Sequence, residues 1–401
     1  MQPTQRKLSS QHLKSLDGVR GVAILLVLFC HLSVSCLPSS TVFLHIVHEV
    51  LYFGWSGVQL FFVLSGFLIT GILLDTKEAS NYFQAFYARR VLRIFPLYYA
   101  VLISLFCLSN THIGNGLNSV LPLPSARPLY FAYLSNWQST DPNTGPNLLG
   151  PFWSLAVEEQ FYFVWPLVVW LLPRKILLPL CLAGTGTALL LRVVLFASHV
   201  DLWRIMYGTF TVGLDSLLAG AAIAVIVRDP ALVLRARRWI YIAGLTGFLA
   251  LLGTAASAGN LMPHGWRCCW FYTCLSAIFA MFVFHVFVTA KTDTQVQRAL
   301  RSNFLVSFGK YSYGIYVYHW PILALTDIKF GAQFGLRGKL LNSIAIAAAV
   351  FVASYFTAKL SYHCFEIKFL NMKRFFEPKP KSADSALLAA EKHLTSTTAA
   401  N

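Results

Sequence analysis

A histidine, His31, lies inside the first long apolar stretch of the chain, and Arg20 precedes it by eleven positions in Leu-Asp-Gly-Val-Arg-Gly. At about 100° per residue, eleven positions return to nearly the same helical face, with the side chains roughly 16 Å apart along the axis, about half a bilayer. An imidazole at that depth is costly unless it faces protein or a wet cavity. It is either satisfied by a neighbouring helix or placed to take a proton from a hydroxyl.

Two further groups carry similar chemistry. In Tyr87-Ala-Arg-Arg-Val-Leu-Arg-Ile-Phe-Pro-Leu-Tyr-Tyr, Arg90 and Arg93 are three apart and share a helical face, with Arg89 beside them. Planar guanidiniums at that spacing suit a phosphate or pyrophosphate, as on coenzyme A, and equally suit an anchor on the cytoplasmic side. In Gly150-Pro-Phe-Trp-Ser-Leu-Ala-Val-Glu-Glu-Gln-Phe-Tyr, residues Ser154, Glu158 and Tyr162 recur every four positions on one face, whereas Glu159 points about 100° away. His31 is the expected partner of Glu158: a carboxylate on one ring nitrogen would fix the tautomer and free the other. Glu159 is expected at a helix surface, where an acid contributes a few tenths to about 1 kcal/mol through the helix dipole.

Other polar residues interrupt apolar runs. Asp215 reads as a hydrogen-bonding partner within its span. Tyr311, Tyr318 and His319 in Tyr-Ser-Tyr-Gly-Ile-Tyr-Val-Tyr-His-Trp-Pro either line a cavity or belong to an interfacial aromatic belt. Gly57, Ser65 and Gly66 offer small side chains where helices can approach closely. The eight cysteines show neither a disulfide framework nor metal-ligand spacing and read as small apolar residues, with Cys268 and Cys269 the pair nearest an outer surface.

The elements that must position these groups are membrane helices. The chain has 401 residues, of which 56% are hydrophobic and 12% charged, and the apolar residues gather in runs of bilayer-spanning length. This patterning predicts an all-α polytopic membrane protein with helices near 18–37, 52–74, 92–109, 151–172, 176–197, 205–227, 239–257, 268–290, 304–326 and 340–362. Lys and Arg concentrate in alternate loops, which places both termini in the cytoplasm and makes the net charge of +16 a topology signal that requires no nucleic-acid partner. The first apolar run lacks a small-residue cleavage pattern and reads as a span. Residues 1–15 form a cytoplasmic segment, 16–372 the membrane domain and 373–401 a polar, disordered tail. The loop at about 110–150, rich in Asn, Pro, Gly and Ser and containing Asp141-Pro-Asn-Thr-Gly-Pro, could cover a site opening outward.

Five ordered motifs, from Leu16-Asp-Gly-Val-Arg-Gly-Val-Ala with His31, through Phe-Phe-Val-Leu-Ser-Gly-Phe-Leu-Ile at 61–69, Arg90-Val-Leu-Arg-Ile-Phe-Pro and Trp153-Ser-Leu-Ala-Val-Glu-Glu-Gln-Phe-Tyr, to Tyr311-Ser-Tyr-Gly-Ile-Tyr-Val-Tyr-His, resemble membrane acyltransferase family 3 over residues 12–370. The resemblance implies bacterial O-acylation of a cell-surface or secreted glycan such as lipopolysaccharide or peptidoglycan, at the inner membrane. It implies an acyl-coenzyme A donor, most simply acetyl-CoA, as co-substrate, with no bound cofactor or metal.

Carried over by position, Arg20 and His31 match the family's arginine-histidine pair, Arg90 and Arg93 its paired arginines, and Glu158 its helix-four acid, with Arg20, Arg90 and Arg93 expected to bind the donor. His31, Glu158 and His319 are the expected catalytic residues, with Asp17, Ser154, Tyr162, Asp215 and Tyr311 in support. His31 acts as general base or transient acyl carrier. Two departures stand out: Gly213 replaces an arginine that many members carry beside Asp215, and Glu366 is followed by Ile-Lys rather than a basic-Pro pair. A small-molecule or lipid-intermediate acceptor fits the same motifs. A transporter would also explain buried His and Glu but predicts an internal repeat and leaves the arginine pair without a task.

His31→Ala is expected to abolish acyl transfer while the protein stays folded and inserted, because the change removes a proton acceptor and little volume. Turnover by purified variant checks this; near-normal turnover would make His31 structural.

Overall fold

The computed structural model describes residues 10–36, 41–111, 117–137, 147–202, 204–208, 211–258, 265–326 and 340–380. A run of apolar residues in lipid must satisfy its own backbone, so each becomes a helix. The long helices are α1 (Ser10–Cys36), α3 (Gly57–Thr76), α4 (Tyr82–Leu108), α6 (Phe152–Leu171), α7 (Arg174–Ala197), α8 (Thr211–Ile226), α9 (Pro230–Ala258), α10 (Arg267–Val288), α12 (Asn303–Thr326) and α13 (Leu340–Ser361). Shorter ones are α2 (Val42–Tyr52), α5 (Arg127–Phe131), α11 (Gln295–Leu300) and α14 (Ile367–Asn371). The protein is an all-α polytopic membrane protein.

Each of the ten expected spans falls on one of these long helices. Among the described residues, eight helical stretches are long and apolar enough to cross a membrane, judged by length and composition. The two long helices outside that set are α6 and α12, whose hydropathy is lowered by Glu158-Glu159-Gln160 and by the Tyr/His run. Thus the least apolar helices carry the candidate site. Helix α6 still presents Phe163, Leu167 and Trp170 outward as an exposed stripe, as a bilayer-facing helix should.

One boundary moves in a way that matters. Helix α4 starts at Tyr82 rather than near 92, so Arg90 lies about 12 Å inside the helix instead of at its entry.

Glycines set the closest crossings. A Cβ on Gly309 of α12 would lie 1.8 Å from the Asp17 carbonyl oxygen of α1, and one on Gly21 would lie 2.1 Å from that of Leu305. Gly66 of α3 and Gly220 of α8 meet the backbones of Leu217 and Val63 in the same manner. The glycines of Leu-Asp-Gly-Val-Arg-Gly therefore serve helix contact.

One end of the bundle collects the basic residues. Lys77 Nζ donates to Leu172 O at 2.7 Å, Arg228 grips Asp75 through two 2.7 Å bonds, and Arg301 Nε donates to Ser15 Oγ at 3.2 Å. The chain also stays tied to that end past the expected tail boundary at 373: Ser80 N donates to Lys379 O at 3.0 Å. Residues 1–9 and 381–401 lie outside the described residues. At the opposite end, residues 117–137 fold onto α4 and α6 as short turns, with Tyr130, Ser135 and Asn136 buried. The Asp141-Pro-Asn-Thr-Gly-Pro segment is also outside the described residues.

Gly309→Ala is expected to force α1 and α12 apart, lowering the unfolding temperature in detergent by several degrees, whereas Gly253→Ala, which meets nothing within 4 Å, leaves it unchanged. Thermal unfolding of the two variants side by side checks this.

Candidate active site

The α1–α12 crossing places His31 Nδ1 2.8 Å from His319 Nε2, with the rings stacked at 5.0 Å between centroids. His319 Nδ1 lies 2.7 Å from Tyr316 O and 3.1 Å from Ile315 O. Carbonyl oxygens only accept, so this Nδ1 carries a hydrogen and the neutral ring has a bare Nε2. His31 Nδ1 must then donate to it. The consequence is a bare Nε2 on His31, oriented by a buried partner: His319 is 1% exposed, and His31 is half-buried. Trp320 closes one side of His31, 4.7 Å away edge-on, and is held by an indole N–H bond of 2.7 Å to Asn147 O.

Glu158 does not reach His31. Its Oε1 accepts from Tyr162 Oη at 2.5 Å and from Ser65 Oγ, a residue of α3. The expected histidine-carboxylate pair is therefore replaced by a histidine pair and a separate carboxylate with two hydroxyls. Arg90 also sits deeper than expected, its guanidinium 3.8 Å above the Tyr162 ring.

These groups line a cavity of about 1070 Å³ that opens at the basic end. Its inner wall holds Ser65, Glu158, Ser154, Ser312, Tyr313 and Tyr316. Neither His31 nor His319 is on that wall. Tyr316 stands between: its hydroxyl is 2.5 Å from Ser154 Oγ and donates to Pro151 O at 2.9 Å, and its ring centroid is 5.6 Å from that of His319. Toward the mouth come Arg20, Arg90 and Arg93, then Lys77, Arg89, Arg174, Arg228 and Lys373. Eight cations thus face three acids, Asp75, Glu78 and Glu158, and Asp75 is already paired with Arg228. Arg20 is paired with Asp17 at 2.6 Å. Such a surplus favours a polyanionic ligand.

A profile described as an acyltransferase domain matches residues 13–362, most of the chain. The chain belongs to this acyltransferase family. Among curated relatives, the peptidoglycan O-acetyltransferase OatA of Listeria monocytogenes is 28% identical over 338 residues, covering 80% of this chain and 51% of that protein. The O-acetyltransferase OatA of Staphylococcus aureus strain MRSA252 is 26% identical over 399 residues, covering 94% of this chain and 61% of its own. A putative peptidoglycan O-acetyltransferase, YrhL of Bacillus subtilis, is 28% identical over 350 residues, covering 79% and 49%. The chain therefore spans about half to three-fifths of the length of these relatives. No solved structure matches it.

Other site expectations for this family member need correcting. Tyr311 and Tyr318 do not face the cavity: Tyr311 Oη pairs with His363 Nε2 at 3.0 Å and Tyr318 Oη donates to Ser361 Oγ at 3.1 Å. The cavity side of α12 runs through Ser312 and Tyr316 toward His319, an i, i+4, i+7 stripe that periodicity alone could have picked out. Glu159 is not at a surface; its Oε1 is buried without a hydrogen-bond partner among the described residues. The 130–137 turns cover it, since neighbouring Gln160 donates to Tyr133 O and Asn136 Oδ1, both at 2.8 Å.

Asp215 has its arginine after all. Arg192 of α7, 0% exposed, donates to Asp215 Oδ2 at 2.8 Å, to Cys269 O at 2.8 Å and to Thr211 O at 2.6 Å. Thr273 Oγ1 and the Ser216 N–H satisfy the rest of the carboxylate. Position 213 has no room for a side chain, since a Cβ there would lie 2.6 Å from Val157 Cγ1.

Arg192→Ala would strand the Asp215 charge, which costs about 3–5 kcal/mol. Poor accumulation of this variant, with recovery in Arg192→Leu/Asp215→Leu, is the expected outcome, read by folded protein per membrane mass.

Proposed function

We propose that this protein transfers an acyl group, most simply acetyl, from an acyl-coenzyme A donor to a hydroxyl of a cell-surface glycan, in the cytoplasmic membrane of a bacterium. One observation carries the reading: a cavity with a strongly basic mouth ends at Glu158, Ser154 and Tyr316, one side-chain layer from a histidine pair with a bare ring nitrogen. The relatives' names, peptidoglycan O-acetyltransferase among them, support a glycan acceptor.

The donor's phosphates suit the basic mouth, on the side where the Lys and Arg bias places the cytoplasm. Its extended thiol arm then carries the thioester to the inner wall. The acceptor hydroxyl approaches His31 from the opposite side. Its oxygen attacks the thioester carbonyl carbon as Nε2 of His31 takes its proton; the C–O bond forms, the C–S bond breaks, and the proton passes to the departing thiolate. Imidazolium on His31 is stabilised by His319 Nε2, which accepts from Nδ1. Tyr162 and Ser65 hold Glu158 at the cavity wall by donating to it, and Arg90 packs over the Tyr162 ring; from there the Glu158 charge can offset positive charge developing nearby. Tyr316 and Ser154 separate donor from acceptor and must shift for the acyl group to pass.

Mass spectrometry of surface glycans from cells with and without the gene tests the assignment, with loss of one acetyl mass as the expected result. His319→Ala, which leaves His31 without its tautomer-fixing partner, is expected to lower kcat about 10²-fold at unchanged donor KM. Glu158→Gln should impair turnover severely at matched membrane levels. Near-normal rates in both variants would remove this mechanism.

A further inference from the structure

The cavity mouth has one wall that comes from far along the chain. After α14, a short 3-10 helix, Met372–Phe376, leads into residues 377–380, which cross the turn joining α3 to α4. Asn81 in that turn holds both edges of the crossing segment: its Nδ2 donates to Glu377 O at 2.9 Å and its Oδ1 accepts from Lys379 N at 2.8 Å. Ser80 N adds the 3.0 Å bond to Lys379 O. Lys373 and Pro378 of this segment line the mouth.

The charges near Lys373 make the arrangement more than a tether. Lys373 is partly buried, and the charged groups around it are the arginines Arg93, Arg90, Arg89 and Arg20. Arg89, Arg93 and Lys373 make no hydrogen bond or ion pair with protein among the described residues. Asp17 and Glu366 offset only part of this positive charge, and like charges in excess oppose the fold unless an anion completes the site. Two guanidiniums from α4 and an ammonium from the 3-10 helix can direct charge-assisted bonds to several phosphate oxygens at once.

We propose that the segment 372–380, latched by Asn81, is a built part of the donor site, and that Lys373 with Arg89 and Arg93 binds the phosphates of a nucleotide-bearing acyl thioester. This rests on the donor assigned above and adds the residues that hold its charged end. Asn81 acts through the segment and is a positioning residue.

Full-length protein in phosphatidylcholine nanodiscs, supplied with acetyl-CoA or with S-acetylpantetheine, which lacks the phosphates, tests this by thiol release. In Asn81→Ala and Lys373→Ala, the KM for acetyl-CoA is expected to rise about tenfold, the loss of one charge-assisted contact, with kcat unchanged. With S-acetylpantetheine both variants should match wild type. Equal losses with both donors, or no loss with either, would overturn the proposal. A penalty seen only when anionic lipid is added would assign the cluster to lipid headgroups and overturn it too. Wild type that acetylates glycan in cells yet accepts neither thioester would instead remove the donor reading of the preceding subsection.

Discussion

Two helices can approach more closely where glycine faces backbone than where side chains intervene, and the candidate site depends on one such approach. Gly21 and Gly309 bring α1 and α12 together so tightly that carbonyl oxygens occupy the space of absent Cβ atoms, and Gly18 does the same against Leu300 of α11. The partners His31 and His319 are 288 positions apart in sequence and meet because of this crossing. The hydrogen-bond directions follow in order: two fixed carbonyls, then His319, then His31. Any loosening of the crossing would release the His31 imidazole from its partner.

A second constraint is that no polar group inside such a bundle can rely on bulk water. Asp215 is met by Arg192, Thr273 and a backbone N–H, and Arg192 in turn spends its remaining donors on carbonyls. Glu158 is met by two hydroxyls, and Arg90 lies over an aromatic face. The first network is closed and dry and fixes α7, α8 and α10 to one another. The second borders a cavity and leaves its charges available. The same chemistry thus separates a charge pair closed off inside the bundle from charges that border a cavity.

Much of this was legible in the sequence because it lies within single helices. The ten apolar runs, the Ser154-Glu158-Tyr162 face and the Arg90-Arg93 spacing are properties of one helix each. Partners between helices were not legible, since periodicity gives the face of a residue and not what covers it. Nothing in the α6 sequence names Tyr162 and Ser65 as the partners of Glu158 in place of His31, and Arg192 is a single charge in an otherwise apolar span. Glu159 shows the limit clearly. It shares a side of α6 with the exposed Phe163 and Leu167, so rotation alone sends it to the surface; the turns at 130–137 cover that side at its level. The start of α4 was misplaced because Tyr82–Val91 is too polar to look like a span, although as a helix it carries Arg90 into the interior.

The layer formed by Tyr316 and Ser154 has an electrical consequence. In the proposed transfer the donor's phosphates would remain on one side of it and the acceptor on the other, so the reaction would move the equivalent of an acylium outward while the hydroxyl proton returns inward. These two displacements carry equal charge in opposite directions and cancel. A membrane potential, which does about 2.3 kcal/mol of work per elementary charge per 100 mV, therefore finds no net charge to act on over the full cycle. Acylation across the bilayer would then proceed at the same equilibrium in energised and de-energised cells, driven by the thioester alone.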